Sequence, residues 1–113
     1  MCREIEIAEK IASEAGALIG HGAGGVISFD SGEIRKKYFG GGGIRRTFYD
    51  VSYRSEVQKE AMEKAVIIAE LFSEFKESYI LSVKRSGISG KVSDNGIWIY
   101  SCRVCVEFYD ETV

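Results

Sequence analysis

The chain has 113 residues, enough for one domain with a real core and too few for a second, and 45 % hydrophobic with 28 % charged residues exclude both a disordered segment and a coiled coil. A formal charge of −2 excludes a protein whose whole surface is built to bind nucleic acid and leaves only a local basic patch to consider. Three cysteines and one histidine supply neither a disulfide framework nor much of a metal site.

The longest apolar run falls far short of the roughly 20 residues that cross a membrane, and the N-terminus opens on charged residues instead of a signal segment. The expectation is a soluble protein made in the cytoplasm, with no membrane partner. With no proline in the chain, every turn falls to glycine, aspartate, asparagine and serine, and thirteen glycines are available.

From Arg3 to Ile19, Ile7, Ala8, Ile11, Ala15, Leu18 and Ile19 recur at helical spacing between charged residues, which predicts an amphipathic helix stopping at Gly20. Gly22, Gly24 and Gly25 then form a link. Val26 to Phe29 reads as a short strand, Asp30-Ser31-Gly32 as a turn, and Ile34 to Phe39 as a basic strand.

Gly40 to Gly43 make a hairpin tip, after which Ile44 to Arg54 returns as a long strand. Tyr49, Val51 and Tyr53 share one face of it, the face expected in the core. Ser55-Glu56-Val57-Gln58 matches a capping box, so a helix should begin there, with Val57, Ala61, Ala65, Ile68, Ala69, Phe72 and Phe75 on its buried stripe.

Tyr79 to Lys84 alternates as a strand with Tyr79, Leu81 and Val83 on its apolar face, and Arg85 to Asn95 reads as a mobile polar loop. Asn95-Gly96 closes that loop. Ile97 to Tyr109 is the last strand, with Trp98, Tyr100, Cys102, Val104, Val106 and Phe108 on one face. The predicted order, helix, three strands, helix, two strands, describes a single α+β domain over residues 1–113, a mainly antiparallel sheet with both helices on one face.

Gly20-His21-Gly22-Ala23-Gly24-Gly25 matches GxGxxG, but a dinucleotide site needs a strand before it and a helix after it, and here the order is reversed. Cys102-Arg103-Val104-Cys105 has CxxC spacing on a strand, where residues three apart point to opposite faces, so Cys102 reads as core and Cys105 as outward. His21 sits among glycines, and nothing in the spacing of Asp50, Glu107 and Asp110 selects them as a carboxylate pair. The expectation is no catalytic residue, no cofactor and no metal.

One charge pattern is informative. Between Ile34 and Tyr49 there are five cations, Arg35, Lys36, Lys37, Arg45 and Arg46, and no acid. The bland reading is charge that keeps an exposed hairpin soluble; the functional one is an arm that docks on an acidic neighbour or faces nucleic acid, with non-specific DNA contact as its salt-sensitive form. In that arm Gly40, Gly41, Gly42 and Gly43 supply the tip, and replacing Lys36, Lys37, Arg45 and Arg46 is expected to weaken assembly while sparing the monomer. The polar stretch holding Arg85, Lys91 and Asp94 is a second candidate contact, ordered on assembly.

The run Phe29-Asp30-Ser31-Gly32-Glu33-Ile34-Arg35-Lys36-Lys37-Tyr38 with its glycine tract, the run Phe48-Tyr49-Asp50-Val51-Ser52-Tyr53-Arg54-Ser55, the alanine-rich helix ending near Phe75 and the last strand together resemble a known family. It is the small minor capsid, tail-terminator or tail-completion proteins of long-tailed bacteriophages and prophages. The resemblance implies a non-enzymatic virion protein of the tail and neck. Such a protein forms a ring, commonly a hexamer, that caps the tail tube and joins it to the head-side connector. Two other readings fit the same residues: a different phage neck or head-tail connector protein, and a small host α+β binding domain or enzyme.

Overall fold

The structure is a computed structural model that describes residues 3–16, 18–19 and 24–111. It is an α+β fold of two helices and a five-stranded antiparallel sheet: α1 (Arg3–Glu14), β1 (Gly25–Lys37), β2 (Gly43–Ser55), α2 (Gln58–Glu74), β3 (Ile80–Arg85), β4 (Ser89–Val92) and β5 (Trp98–Asp110). The sheet order is β1-β2-β5-β3, and β4 pairs with the part of β5 that runs on past β3.

Both helices cover one face of the sheet. Alternation along the two central strands puts Tyr49, Val51 and Tyr53 of β2 and Cys102, Val104, Val106 and Phe108 of β5 under Ile7 and Ile11 of α1 and Ala61, Ala65, Ile68, Ala69 and Phe72 of α2. Three alanines let α2 lie close on the sheet, and the Phe72 ring meets Tyr49 with centroids 5.2 Å apart. The Tyr49 hydroxyl donates to the Glu4 carbonyl at 2.6 Å, so this buried phenol ties the start of α1 to the middle of β2.

Several boundaries differ from the sequence expectation, each for a local reason. The first helix ends at Glu14, and Ile19 instead forms a parallel bridge to Gly25; the expected stop at Gly20 lies outside the described residues. Asp30-Ser31-Gly32 is not a turn. β1 passes through it as one strand with bulges between Phe29 and Ser31 and between Ile34 and Lys36, so one long hairpin stands where two were expected. Turn-forming residues also suit a bulge, and Asp30 uses its extra position to reach Arg103 Nη2 at 2.8 Å.

The capping box does not form. Ser55 is held at the end of β2 opposite Trp98, where its hydroxyl accepts from the Val57 amide at 3.1 Å and donates to Glu60 at 3.2 Å, and Gln58 donates to the Tyr100 hydroxyl. The helix begins at Gln58 with Val57 exposed. A bulge between Ile80 and Ser82 turns Leu81 out to solvent and brings Ile80 opposite Phe108. The stretch expected as a mobile loop contains β4, closed by a turn in which the Gly96 amide donates to the Ser93 carbonyl at 3.0 Å. The five strands are therefore divided two and three around α2.

The long β1, β2 and β5 give the molecule extents of 54 × 22 × 20 Å and a radius of gyration of 15.2 Å. A compact chain of this length would have about 13 Å. The helices cover only part of this ribbon, and its far end carries the hairpin tip.

Candidate assembly surface

The tip is residues 38–42. The Tyr38 amide donates to the Gly42 carbonyl at 3.0 Å and the Gly41 amide to the Tyr38 carbonyl at 3.2 Å. Gly41 and Gly42 have φ of 103° and 76°, the left-handed region that side chains disfavour, and a Cβ on Gly42 would overlap the Tyr109 hydroxyl. The tract is thus a shaped turn. Gly40 faces open space, and Gly43 already pairs with Asp110 of β5.

The basic run is largely neutralised from elsewhere in the chain. Because β5 accompanies β2 along its whole length, Glu107 falls opposite Arg46 and Asp110 opposite Gly43. Arg46 reaches Glu107 with Nη2 at 2.8 Å and Nε at 3.0 Å, and Glu33 with Nη1 at 3.2 Å. Arg35 joins Glu107 at 3.2 Å. On the helix side of the ribbon, Arg45 Nε lies 3.1 Å from Asp110 and 3.3 Å from Glu4, both of them nearly buried.

Of the five arm cations, only Lys36 and Lys37 have no carboxylate partner among the described residues, and Lys36 has the Tyr38 ring 5.2 Å from its Nζ. Arg45 and Arg46 are consequently structural parts of the monomer, which corrects the expectation that all four cations could be removed without cost to it. The projecting arm is also shorter than expected. Up to Gly43 it is a three-stranded ribbon, and only the tip extends beyond it.

The second candidate contact is not one loop: Arg85 ends β3, Lys91 lies in β4 and Asp94 in the turn after it, all exposed. β5 has Asp110 next to the hairpin tip and Trp98 next to that turn, so Lys91 and Asp94 sit at the opposite end of the molecule from the tip, roughly 40 Å away at about 3.3 Å per residue, while Arg85, opposite Val104, lies midway. Between them, on the face without helices, Arg103 lies over the Phe48 ring at 4.2 Å while bonded to Asp30.

Sequence reasoning passed over the aromatic side chains of the tip. Phe39 has a relative exposure of 112 %, touching nothing of its own chain that would shield it, and Tyr38 and Tyr109 are both exposed beside it with ring centroids 6.4 Å apart. Two aromatics directly before the glycines were the available signal. The outer face of α2 also exposes Met62 and Ile67, which with the half-buried Val66, one turn on from Met62, form a second apolar patch.

Charge is divided by layer. Residues 3–14 and 56–77, the helices and their flanks, carry five cations and ten acids, whereas the strands and remaining turns carry ten cations and seven acids. Neither of the two described thiols is primed for chemistry: burial pushes Cys102, inside the core, and Cys105, on the open face, above the ordinary thiol range. His21 and the first four residues of the GxGxxG match lie outside the described residues. Gly24 and Gly25 are packing positions, since a Cβ on the first would press on the Arg54 carbonyl and on the second on the Leu18 carbonyl. No group of three metal-ligating side chains occurs among the described residues. No protein-family model and no curated protein matches the chain.

Proposed function

We propose that this protein is a non-enzymatic assembly subunit of the phage tail-terminator or tail-completion kind, one that joins copies of itself into a ring between tail tube and head connector. The observation that carries the reading is the hairpin end, where a rigid ribbon holds a fully exposed Phe39 with Tyr38, Lys36 and Lys37 well away from the core. A monomer gains nothing from such an arrangement, whereas burying an aromatic anchor at a protein interface is a major source of binding energy.

Two further features support it. Beyond the bridge from Ile19 to Gly25, no described strand pairs with the outer side of the 13-residue β1, and an open edge of that length invites pairing unless it is covered or broken. The described acids around the hairpin, Glu33, Glu107, Asp110 and Glu4, are engaged by arginines, an arrangement suited to holding a shape more than to moving protons.

The test is mass by light scattering across protein concentration, alone and with purified tail tubes. A ring-sized species, free or on tubes, is expected. A protein that stays monomeric and ignores tubes under every condition refutes the reading.

A further inference from the structure

The reading just given leaves open what the hairpin tip touches, and the inference below rests on it. A groove of about 240 Å³ runs between α1 and the exposed edge of the sheet. Its walls are Ile5, Ala8 and Ala12 from α1 and Ile27 and Phe29 from β1, and Glu9 stands on its rim. Ile5 and Phe29 are each about half exposed, which is unusual for large apolar side chains facing one another across a depression. Glu9 has no ion-pair partner among the described residues, whereas Glu6 on the same helix is matched with Lys10.

The tip has the complementary properties. Phe39 is a single large apolar side chain without a pocket, and the two lysines that precede it are the arm cations without a carboxylate. The groove is of a size to take one aromatic ring, and its α1 wall lies in the layer with the acidic excess, while the tip belongs to the layer with the basic excess. The tip cannot serve its own groove: Phe39 stands clear of its own chain, and the ribbon carrying Arg45 against Glu4 and Asp110 lies between the two.

We infer that the acceptor of the hairpin tip is the α1–β1 groove of a second copy of this chain, with Phe39 seated between Ile5 and Phe29 and Lys37 reaching Glu9. Plug and socket are different patches on one molecule, so the contact is head-to-tail. Repeated contacts of that type close into a ring if the rotation allows and otherwise continue as a filament. Seating Phe39 also covers part of the open β1 edge, so one contact shields the aromatic tip and a stretch of that edge together.

The experiment separates plug from socket. Phe39→Ser removes the plug and keeps the groove, and Ile5→Glu closes the groove and keeps the plug. By sedimentation or light scattering, each variant alone is expected to self-associate at least about tenfold more weakly than the unaltered chain, as loss of an interface anchor does. An equimolar mixture has one intact plug and one intact socket, and is expected to give a 1:1 dimer and nothing larger. Should Ile5→Glu melt early, the exposed change Glu9→Lys takes its place; it is expected to weaken association, and combining it with Lys37→Glu to restore it. If the unaltered chain assembles and Phe39→Ser assembles equally well, or if folded variants form no mixed dimer, the groove is not the acceptor, although the ring reading stands. If the unaltered chain never assembles, alone or on tubes, both fail.

Discussion

Arg45 decides whether the basic run belongs to the monomer or to a partner. Replacing it with methionine keeps most of the aliphatic stem and removes the guanidinium that lies 3.1 Å from Asp110 and 3.3 Å from Glu4, carboxylates whose side chains are only 8 % and 10 % exposed. A hydrogen bond to a charged group contributes about 1.5–3 kcal/mol, and breaking a fully buried pair costs about 3–5 kcal/mol. Arg45 is itself about a quarter exposed, and water discounts the upper figure. We therefore expect a loss of about 2 kcal/mol, which for a domain near this size is a fall in Tm of roughly 8 °C. The control, Lys36→Ser with Lys37→Ser, removes twice the charge from side chains without a carboxylate and is expected to stay within about 0.5 kcal/mol, the usual range for surface changes. Urea titrations of both, with a double-mutant cycle pairing Arg45→Met and Glu4→Gln, measure the difference and its source. If Arg45→Met costs no more than the lysine pair, the arginines are not held by the monomer, and the neutralisation described here is wrong.

Other perturbations probe the tip, the core and the thiols. Gly42→Ala is expected to cost about 1–3 kcal/mol, combining left-handed backbone with overlap on Tyr109, while Gly40→Ala, with open space around it, is expected to be nearly neutral; paired thermal melts distinguish them. Phe72→Ala removes the ring packed at a tilt against Tyr49 at the centre of the core and is expected to cost about 3–5 kcal/mol by urea unfolding. Burial raises the Cys102 pKa above its unfolded value, so the folded state holds that proton more tightly. Its contribution to stability is complete below the unfolded thiol pKa and is lost as pH rises through the folded one. The native protein is accordingly expected to lose stability into the alkaline range, a slope that Cys102→Ala lessens, and alkylation of Cys102 should be slow until the protein unfolds.

The parts of the fold that were legible in the sequence are those written in short-range periodicity. Tyr49, Val51 and Tyr53 alternate because one face of β2 is wet, and Ala61, Ala65, Ile68, Ala69 and Phe72 recur with the helical repeat because α2 lies on the sheet along that stripe. What was not legible depends on long-range pairing. Ser89–Val92 is exposed and, apart from Val92, without an apolar side chain, a loop by composition, and becomes a strand only because β5 extends beyond β3 and offers it a free edge. The same holds for the arm. Arg45 and Asp110 are 65 positions apart, and no local pattern reveals that they meet, so a run of five cations looked freer than it is.

The position of β5 also bears on how the chain becomes a protein at all. It is the last of the seven elements to be synthesised, yet it lies between β2 on one side and β3 with β4 on the other. Its partners on β2 are about 40 to 70 residues upstream. Until it arrives, the inner edge of β2 is unpaired and α2 can close only on Tyr49, Val51 and Tyr53 of β2, so a nascent chain keeps part of its apolar surface and a strand edge exposed. Such distant pairing slows folding and prolongs that exposure. Once β5 slots in, the core, the arginine contacts of the arm and the Tyr109 seat beneath Gly42 are all completed by the same segment. A change that delays β5 would therefore reduce the yield of soluble protein before it altered anything that assembly could report.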